Sequence, residues 1–390
     1  MINREYVDML QHKDIIFELA AYANQRRAEE GPDNVFDYSL GGPSVPPPIE
    51  VHNALHELLE EGDISVMHRY TQEGGLFETR EAIASDLNQR FGSCFTGSNI
   101  FMTCAANASL AHAMRAVAVP GEKIMTFAPC FSEYEVYTQG ARCELVIVPA
   151  DPESLNINFE EAWKMLDEKV AAVLINSPNN PSGMVYDTET ITKLAELLKQ
   201  KSAEYGKTIY LISDEPYREI VFEGTDAPFI ANYYDNTIVC YSFSKSLSLP
   251  GERIGYVAVN PKADNADLLV SMFAQISRTS GHNGAPVIWQ RVLAKILPCT
   301  SDLSVYEKNA NLLYDALTSY GFECVKPRGS FYMMPKIPGG DSDAFMKKAL
   351  DNDIIVVPGD GFMCPGHFRL AYCVPTERVE RSLERFAKLI

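Results

Sequence analysis

The feature that most constrains the fold is a regular alternation, between about residues 50 and 290, of short apolar runs with longer segments of helical periodicity. Apolar runs without polar alternation are typical of strands that helices cover on both faces. Their alternation with helices predicts a mostly parallel sheet in an α/β domain. Seven runs are expected to form this sheet: NIFMTC, KIMTFAP, CELVIVPA, AAVLIN, TIYLIS, TIVCYSF and GYVAVN.

The pattern changes on both sides of this region. Residues 7–27 have helical spacing, and an extended segment rich in Gly and Pro, SLGGPSVPPP, follows them. After residue 290 come two long helical segments, three strand-like pieces and a final helix. We therefore predict a large α/β domain with a seven-stranded sheet over residues 46–288. A smaller α+β domain is built from both termini, with residues 1–45 as a helix and extended arm and residues 289–390 as its carboxy-terminal part.

Charge and cysteine content exclude several classes of function. The formal net charge is −18, and an acidic surface repels phosphate backbones and anionic lipids, so we expect neither nucleic acid nor membrane as a partner. The nine cysteines form no CxxC pair, which predicts free thiols in a reducing compartment and no metal site. The amino-terminal sequence is charged and lacks the apolar segment of a signal peptide, so a cytoplasmic location is expected.

Polar and aromatic side chains follow five of the predicted strands. Ligands of open α/β sheets bind beyond the carboxyl ends of the strands. Alone, the lysine is typical of a solvated loop, the Asp and Asn segments of turns, Arg253 of a surface charge and Phe131 of the core, but their joint occurrence in this order predicts a binding site. The groups are Ser242 with Lys245 and Arg253, Asp214 with Tyr217, Asn180, Ala106 with Asn107, and Phe131.

Three segments carry a resemblance to a known family. SFSKSLSLPGERIGY, SDEPY and NSPNNPSG resemble the signature segments of the fold-type I aminotransferases that depend on pyridoxal 5′-phosphate (PLP), the class I and II family that includes aspartate aminotransferase. The similarity extends from LGGP near residue 40 to FRLAY, which ends at residue 372. It implies that PLP binds in the large domain. The expected reaction moves an amino group from an L-amino acid to a 2-oxo acid, with aspartate and 2-oxoglutarate as candidate substrates.

The resemblance implies catalytic roles for three residues. Lys245 would form an imine with the cofactor aldehyde and, once the substrate amine displaces it, would move the α-proton. Asp214 would keep the pyridine nitrogen protonated, which makes the ring an electron sink. Tyr217, together with Asn180, would donate to the ring oxygen beside the imine and so lower the proton affinity of the imine.

The same resemblance assigns five residues to the cofactor phosphate. Arg253 would form a forked, charge-assisted contact, and Ser242 would add its hydroxyl. The backbone N–H groups of Ala106 and Asn107 begin a helix, and such groups bind anions readily. Tyr70 would reach the phosphate of a neighbouring subunit, which implies a homodimer with composite active sites.

The remaining assignments concern the cofactor ring and the substrate. Phe131 would stack on the ring. Arg369 would bind the substrate α-carboxylate in two-point geometry, next to the backbone of Gly41 and to Asn180. Arg278, in a loop expected to cross the dimer interface, is a candidate partner for a second carboxylate, although a surface arginine is the alternative interpretation.

Two other functions remain open at this level. A PLP-dependent C–S β-lyase shares Lys245, Asp214 and Arg253, but it would release pyruvate and ammonia without a 2-oxo acid acceptor. A non-catalytic effector-binding domain of a transcription regulator is the other alternative, and the acidic charge disfavours its association with DNA.

Overall fold

The computed structural model describes residues 2–10 and 15–390. Its helices are α1 (Arg4–Met9), α2 (Ile15–Glu30), α3 (Ile49–Glu61), α4 (Ile64–Met67), α5 (Phe77–Phe91), α6 (Ala105–Val117), α7 (Glu133–Gly140), α8 (Phe159–Met165), α9 (Thr188–Tyr205), α10 (Phe243–Ser246), α11 (Ala266–Thr279), α12 (Val287–Ile296), α13 (Ser304–Tyr320), α14 (Ser342–Asp351) and α15 (Thr376–Phe386). Its strands are β1 (Phe36–Asp37), β2 (Ile100–Thr103), β3 (Lys123–Phe127), β4 (Glu144–Val148), β5 (Val170–Asn176), β6 (Tyr210–Asp214), β7 (Thr237–Ser242), β8 (Gly255–Val259), β9 (Tyr332–Met333), β10 (Ile354–Ile355), β11 (Val357–Pro358) and β12 (Phe368–Ala371).

A seven-stranded sheet forms the centre of the large domain, in the order β2-β8-β7-β6-β5-β3-β4. Each of the seven predicted apolar runs is one of its strands. Strand β8 is antiparallel to both of its neighbours, β2 and β7, and the other pairs are parallel. The predicted α/β class with a mostly parallel, seven-stranded sheet is therefore confirmed.

The strand directions determine where a site can form. Because β2 and β7 are both antiparallel to β8, they run in the same direction as each other and as the parallel strands. Six carboxyl ends therefore meet at one edge of the sheet. The polar segments that follow β2, β3, β5, β6 and β7 are brought together at this edge.

Helices cover both faces of the sheet, which explains why the strands are apolar along their length. Helices α6 and α11 pack on one face, where Met114 and Phe273 join the core. Helix α9 packs on the other face through residues such as Leu194. The side chain of Asp187 caps the start of α9, and Gly206 ends the helix in the left-handed conformation that glycine favours.

The small domain joins the two ends of the chain. Strand β1 pairs in parallel with β10, so Phe36 lies beside Ile354, and β12 pairs with β9 and β11 in an antiparallel sheet. A shared core contains Tyr38, Phe331 and Phe368. The predicted amino-terminal helix, residues 7–27, includes residues 11–14, which lie outside the described part of the chain.

The position of α12 bears on the boundary predicted at residues 288 and 289. This helix packs against α3 and α5, where Leu293 shares a core with Val51 and Leu87. We propose that the large domain extends to the end of α12. None of the helices in the described residues is both long and apolar enough to cross a membrane.

Candidate active site

A cavity of about 300 Å³ lies at the carboxyl edge of the large sheet, within the size range of small-molecule sites. It brings together residues from both domains and from widely separated parts of the chain. The predicted site residues that line it are Gly41, Ala106, Asn107, Phe131, Asn180, Asp214, Tyr217, Ser242, Lys245, Arg253 and Arg369.

Lys245 lies in the short helix α10, directly after β7. The hydroxyl of Ser242 accepts a hydrogen bond of 3.1 Å from the backbone N–H of Ser244 and so caps this helix. Lys245 Nζ donates a hydrogen bond of 2.7 Å to the backbone oxygen of Gly41. Burial lowers the pKa of Lys245 to about 8. A larger fraction of this amine is therefore uncharged at neutral pH, which is the nucleophilic form.

Asp214 ends strand β6, lines the cavity and is 5% exposed. Its Oδ2 accepts a hydrogen bond of 2.6 Å from the hydroxyl of Tyr134, while its Oδ1 is buried and has no hydrogen-bond partner. Burial raises the pKa of Asp214 to about 7, against the opposing effect of the Tyr134 hydrogen bond. A buried acceptor without a donor is unfavourable in a folded protein, so Oδ1 fits a ligand that brings an N–H group, such as a protonated pyridine nitrogen.

Arg369 is a buried cation on β12, and it is held from several directions. Its guanidinium lies between the rings of Tyr332 and Phe362, with centroids 4.9 and 4.6 Å from Cζ. Nη1 donates to Asn180 Oδ1 at 3.2 Å, and Nη2 donates to the backbone oxygen of Ser39. These contacts restrict the orientation of the guanidinium, which suits it to two-point binding of a carboxylate.

Tyr332 connects three of the predicted residues. Its hydroxyl is 3.1 Å from that of Tyr217, and its ring contacts Arg369. A Cβ atom placed on Gly41 would lie 1.8 Å from the Tyr332 hydroxyl oxygen. Glycine at position 41 therefore makes room for Tyr332 at the cavity.

One part of the cavity lining combines a helix amino terminus with a cation. Helix α6 begins at Ala105, and Arg253 Nη2 donates to the Asn107 side chain at 3.1 Å. The hydroxyls of Ser242 and Ser244 are 2.6 Å apart beside them. Free backbone N–H groups, an arginine and two hydroxyls have the chemistry of an anion-binding site.

Two predicted residues lie outside this cavity. Tyr70 is fully exposed, and Arg278 forms an exposed ion pair with Glu73 of the same chain. The structure therefore does not bring Tyr70 or Arg278 to the site of their own chain. Their roles across a dimer interface stay predictions.

Sequence reasoning missed Tyr134, Tyr332 and Ser244. Tyr134 follows Phe131 by three residues, a spacing that puts both on one side of a helical turn, and this signal was available. Tyr332 belongs to a strand-like segment of the small domain, where a buried aromatic residue suggests core packing. Within the described residues, no group of three or more His, Cys, Asp or Glu side chains has a geometry that would hold a metal ion.

Comparison with known proteins agrees with this geometry. The family model described as aminotransferase class I and II matches residues 34–386. The chain belongs to this family. The aminotransferase is 43% identical to an amino transferase from Eubacterium rectale, whose crystal structure superposes with a TM-score of 0.97 and covers 100% of this chain and 98% of that one.

Relatives with more specific names are more distant. The aminotransferase is 27% identical to the aspartate aminotransferase of Thermotoga maritima, over 99% of this chain and 98% of that protein. It is 25% identical to the Thermus thermophilus aspartate aminotransferase solved with maleate, with full coverage of both chains and a TM-score of 0.87. Family membership implies PLP as the cofactor, and these relatives do not favour the lyase or the effector-binding domain.

Proposed function

We propose that this aminotransferase binds PLP in the cavity between Asp214 and Arg369, and that aspartate and 2-oxoglutarate are its first candidate substrates. The observation that carries the proposal is a pair of groups in the cavity lining. Lys245 is an amine with a lowered pKa, and Asp214 presents a buried carboxylate oxygen without a donor. The aspartate aminotransferase names of the relatives support this choice of substrates.

Residues on three sides of the cavity would hold the cofactor. Asp214 Oδ1 would accept a hydrogen bond from the pyridine nitrogen, Phe131 would contact the ring, and Tyr217 and Asn180 would donate hydrogen bonds to its ring oxygen. Their positions in the cavity lining support these roles. The phosphate would be bound by four residues of the cavity lining: Ser242, Arg253, and Ala106 and Asn107 through their backbone N–H groups.

The chemistry depends on how the chain moves one proton. When bound, PLP supplies an aldehyde and a ring that withdraws electrons from the substrate α-carbon. Lys245 Nζ would hold the cofactor and, once free, would take the α-proton as a general base. Because its pKa is lowered to about 8, Lys245 is able to lose and regain a proton near neutral pH.

Substrate orientation comes from Arg369 and its neighbours. Its guanidinium binds the α-carboxylate, and the Gly41 backbone lies beside the same group. The hydrogen bond from Arg369 to Asn180 supports this role, because the Asn180 side chain then contacts both the carboxylate site and the proposed ring site. With the carboxylate held at Arg369 and the amino group held at the cofactor, the α-carbon of the substrate is oriented toward Lys245.

The active unit is proposed to be a homodimer with composite sites. The full exposure of Tyr70 supports this, because a tyrosine assigned to a phosphate contact has no such contact within its own chain. Arg278 would reach the partner's site only if its ion pair with Glu73 were broken. All nine cysteines are free thiols, which supports a reducing compartment such as the cytoplasm.

The decisive experiment separates transfer from elimination. The PLP-loaded protein is incubated with L-aspartate, with and without 2-oxoglutarate, and the products are separated by chromatography. We expect glutamate, and more than one oxaloacetate per active site, only when the acceptor is present. Release of pyruvate and ammonia from L-cysteine or cystathionine without an acceptor, and no glutamate from any donor in a panel of amino acids, would overturn the proposal in favour of a lyase.

A further inference from the structure

We propose that Tyr134 is a positioning residue for the cofactor, because its hydroxyl holds the Asp214 carboxylate with Oδ1 turned toward the pyridine nitrogen. The inference rests on the proposed function, since it requires PLP to bind with that nitrogen at Asp214. Tyr134 acts through Asp214 and is not itself proposed to touch substrate.

Two neighbours hold different parts of Asp214, one its main chain and the other its carboxylate. Asn176 Nδ2 donates to the backbone oxygen of Asp214 at 2.8 Å and so holds its main chain. The Tyr134 hydroxyl donates to Oδ2 at 2.6 Å, and in the described structure no second side chain forms a hydrogen bond to this carboxylate. The rotation of the carboxyl group, and hence the direction of Oδ1, therefore depends on Tyr134.

The Tyr134 hydroxyl is the donor in this hydrogen bond whenever Asp214 is ionised. Tyr134 is 1% exposed, and burial together with the Asp214 charge raises its pKa well above the usual range. The phenol therefore stays protonated and remains the donor. Its partner oxygen is kept as an acceptor, which favours the ionised form of Asp214.

Other titratable groups near Asp214 do not replace this effect. Glu215 raises the pKa of Asp214, although Arg218 balances part of its charge through a hydrogen bond of 2.6 Å. Three further groups have pKa values raised by burial and stay uncharged near neutral pH: Tyr137 on α7, Tyr217 after β6 and Cys240 on β7. Lys245 lines the same cavity and, with a pKa of about 8, carries charge near neutral pH, but it is unchanged in a Tyr134 variant. Loss of the Tyr134 hydroxyl should therefore protonate Asp214 over a wider pH range.

The aromatic ring of Tyr134 makes a second contact, and a test of the hydroxyl must leave this ring contact unchanged. It meets the ring of Phe131 edge to face, with centroids 5.7 Å apart at 90°. Tyr134→Phe removes the hydrogen bond and retains this ring contact. The matched control is Tyr234→Phe, which removes a hydrogen bond of 2.7 Å from a buried tyrosine hydroxyl to the backbone oxygen of Ile209. Ile209 precedes β6, so this contact lies at the opposite end of that strand from Asp214.

The experiment measures PLP affinity by equilibrium dialysis of the apoenzyme between pH 5.5 and 9, with the absorbance spectrum of the bound cofactor. For Tyr134→Phe we expect affinity at pH 7.5 to fall about tenfold or more, the scale of one hydrogen bond to a charged group. We also expect the loss of affinity toward acid to begin at higher pH than in the wild type. Tyr234→Phe should match the wild type in both measurements.

Three outcomes distinguish the inference from the proposed function. If Asp214→Asn weakens PLP binding while Tyr134→Phe leaves affinity and its pH dependence unchanged, the role of Tyr134 is wrong. The same conclusion follows if Tyr234→Phe weakens binding as much as Tyr134→Phe. If Asp214→Asn binds PLP like the wild type, the proposed cofactor position itself fails. The pH dependence is measured on folded protein that binds PLP, so a lower folded yield does not affect the comparison.

Discussion

Lys245 Nζ donates a hydrogen bond of 2.7 Å to the backbone oxygen of Gly41, although 204 positions separate the two residues in the chain. The amine at the end of the large sheet is thereby held against the amino-terminal arm. Gly41 also approaches Tyr332 closely, since a Cβ atom at position 41 would meet the Tyr332 hydroxyl at 1.8 Å.

The first prediction concerns this close approach. Gly41→Ala should displace the arm or Tyr332, lower the stability of the protein by about 1–3 kcal/mol, as expected for overpacking, and reduce kcat/KM. Gly42→Ala is the matched control, because its added Cβ would meet nothing within 4 Å. Denaturant unfolding and steady-state kinetics check both variants. Equal behaviour of the two variants would contradict the importance of the Gly41 contact.

The second prediction is that Lys245 is the lysine that binds PLP covalently. Borohydride reduction of the loaded protein, followed by peptide mapping, should place the cofactor label on Lys245. Lys245→Ala should bind PLP without this link and lose transamination. A label on any other lysine refutes the assignment.

The third prediction is a pH dependence of cofactor loading. Only the uncharged amine reacts with the PLP aldehyde, and burial lowers the pKa of Lys245 from 10.5 to about 8. The loading rate of the apoenzyme should therefore rise with pH up to about 8 and then level off. The control is an exposed model amine with a pKa of about 10.4, for which the rate should continue to rise through pH 9. Absorbance after mixing gives both rates, and a loading rate that still rises at pH 9 contradicts the lowered pKa.

The fourth prediction tests Arg369 as the carboxylate-binding residue. Arg369→Lys keeps the charge but loses the fork, so kcat/KM should fall by about one to two powers of ten for every amino acid accepted. Arg369→Ala should lose more, because the carboxylate then lies in a partly desolvated site without a countercharge. Kinetics with two amino acids and one amine without a carboxylate check this. Losses confined to donors with acidic side chains would mean that Arg369 binds the side chain instead.

The fifth prediction concerns composite sites. Tyr70→Phe should weaken PLP binding if its hydroxyl contacts the phosphate in the neighbouring subunit. In mixed dimers of Tyr70→Phe and Lys245→Ala, one of the two sites has both native residues, so activity should return after the inactive Lys245→Ala protein is mixed with Tyr70→Phe. Sedimentation verifies the dimer. A fully active monomer, or mixed dimers with no more activity than their parts, counts against composite sites.

Much of this fold was predictable because it depends on local pattern. Runs such as AAVLIN are apolar along their whole length, and only a strand between two helical layers buries every residue, as β5 does. The residues that follow such strands were predictable as a site for the same reason, since parallel strands share one carboxyl edge. Asp214 and Lys245 were found in this way, with the family resemblance supplying their chemistry.

The direction of β8 and the packing of α12 were not predictable from these patterns. An apolar run has the same appearance in a parallel and an antiparallel strand, so GYVAVN did not indicate its direction. Helix α12 has one apolar face, and periodicity does not specify which domain that face contacts. Core packing with Val51 and Leu87 decided its position.

The sequence by itself determined the fold class, the family and the residue types at the carboxyl edge, because each depends on composition and spacing over short segments. Only the tertiary structure decided how those residues are held. Tyr134 reaches Asp214 across 80 positions, Tyr332 reaches Tyr217 across 115, and Gly41 reaches Lys245 across 204. Contacts between residues so far apart produce no periodic pattern in the sequence. They arise when folding brings distant segments within hydrogen-bonding distance, inside the large domain for Tyr134 and between the two domains for Tyr332 and Gly41, which is why Tyr134 and Tyr332 emerged only from the folded chain.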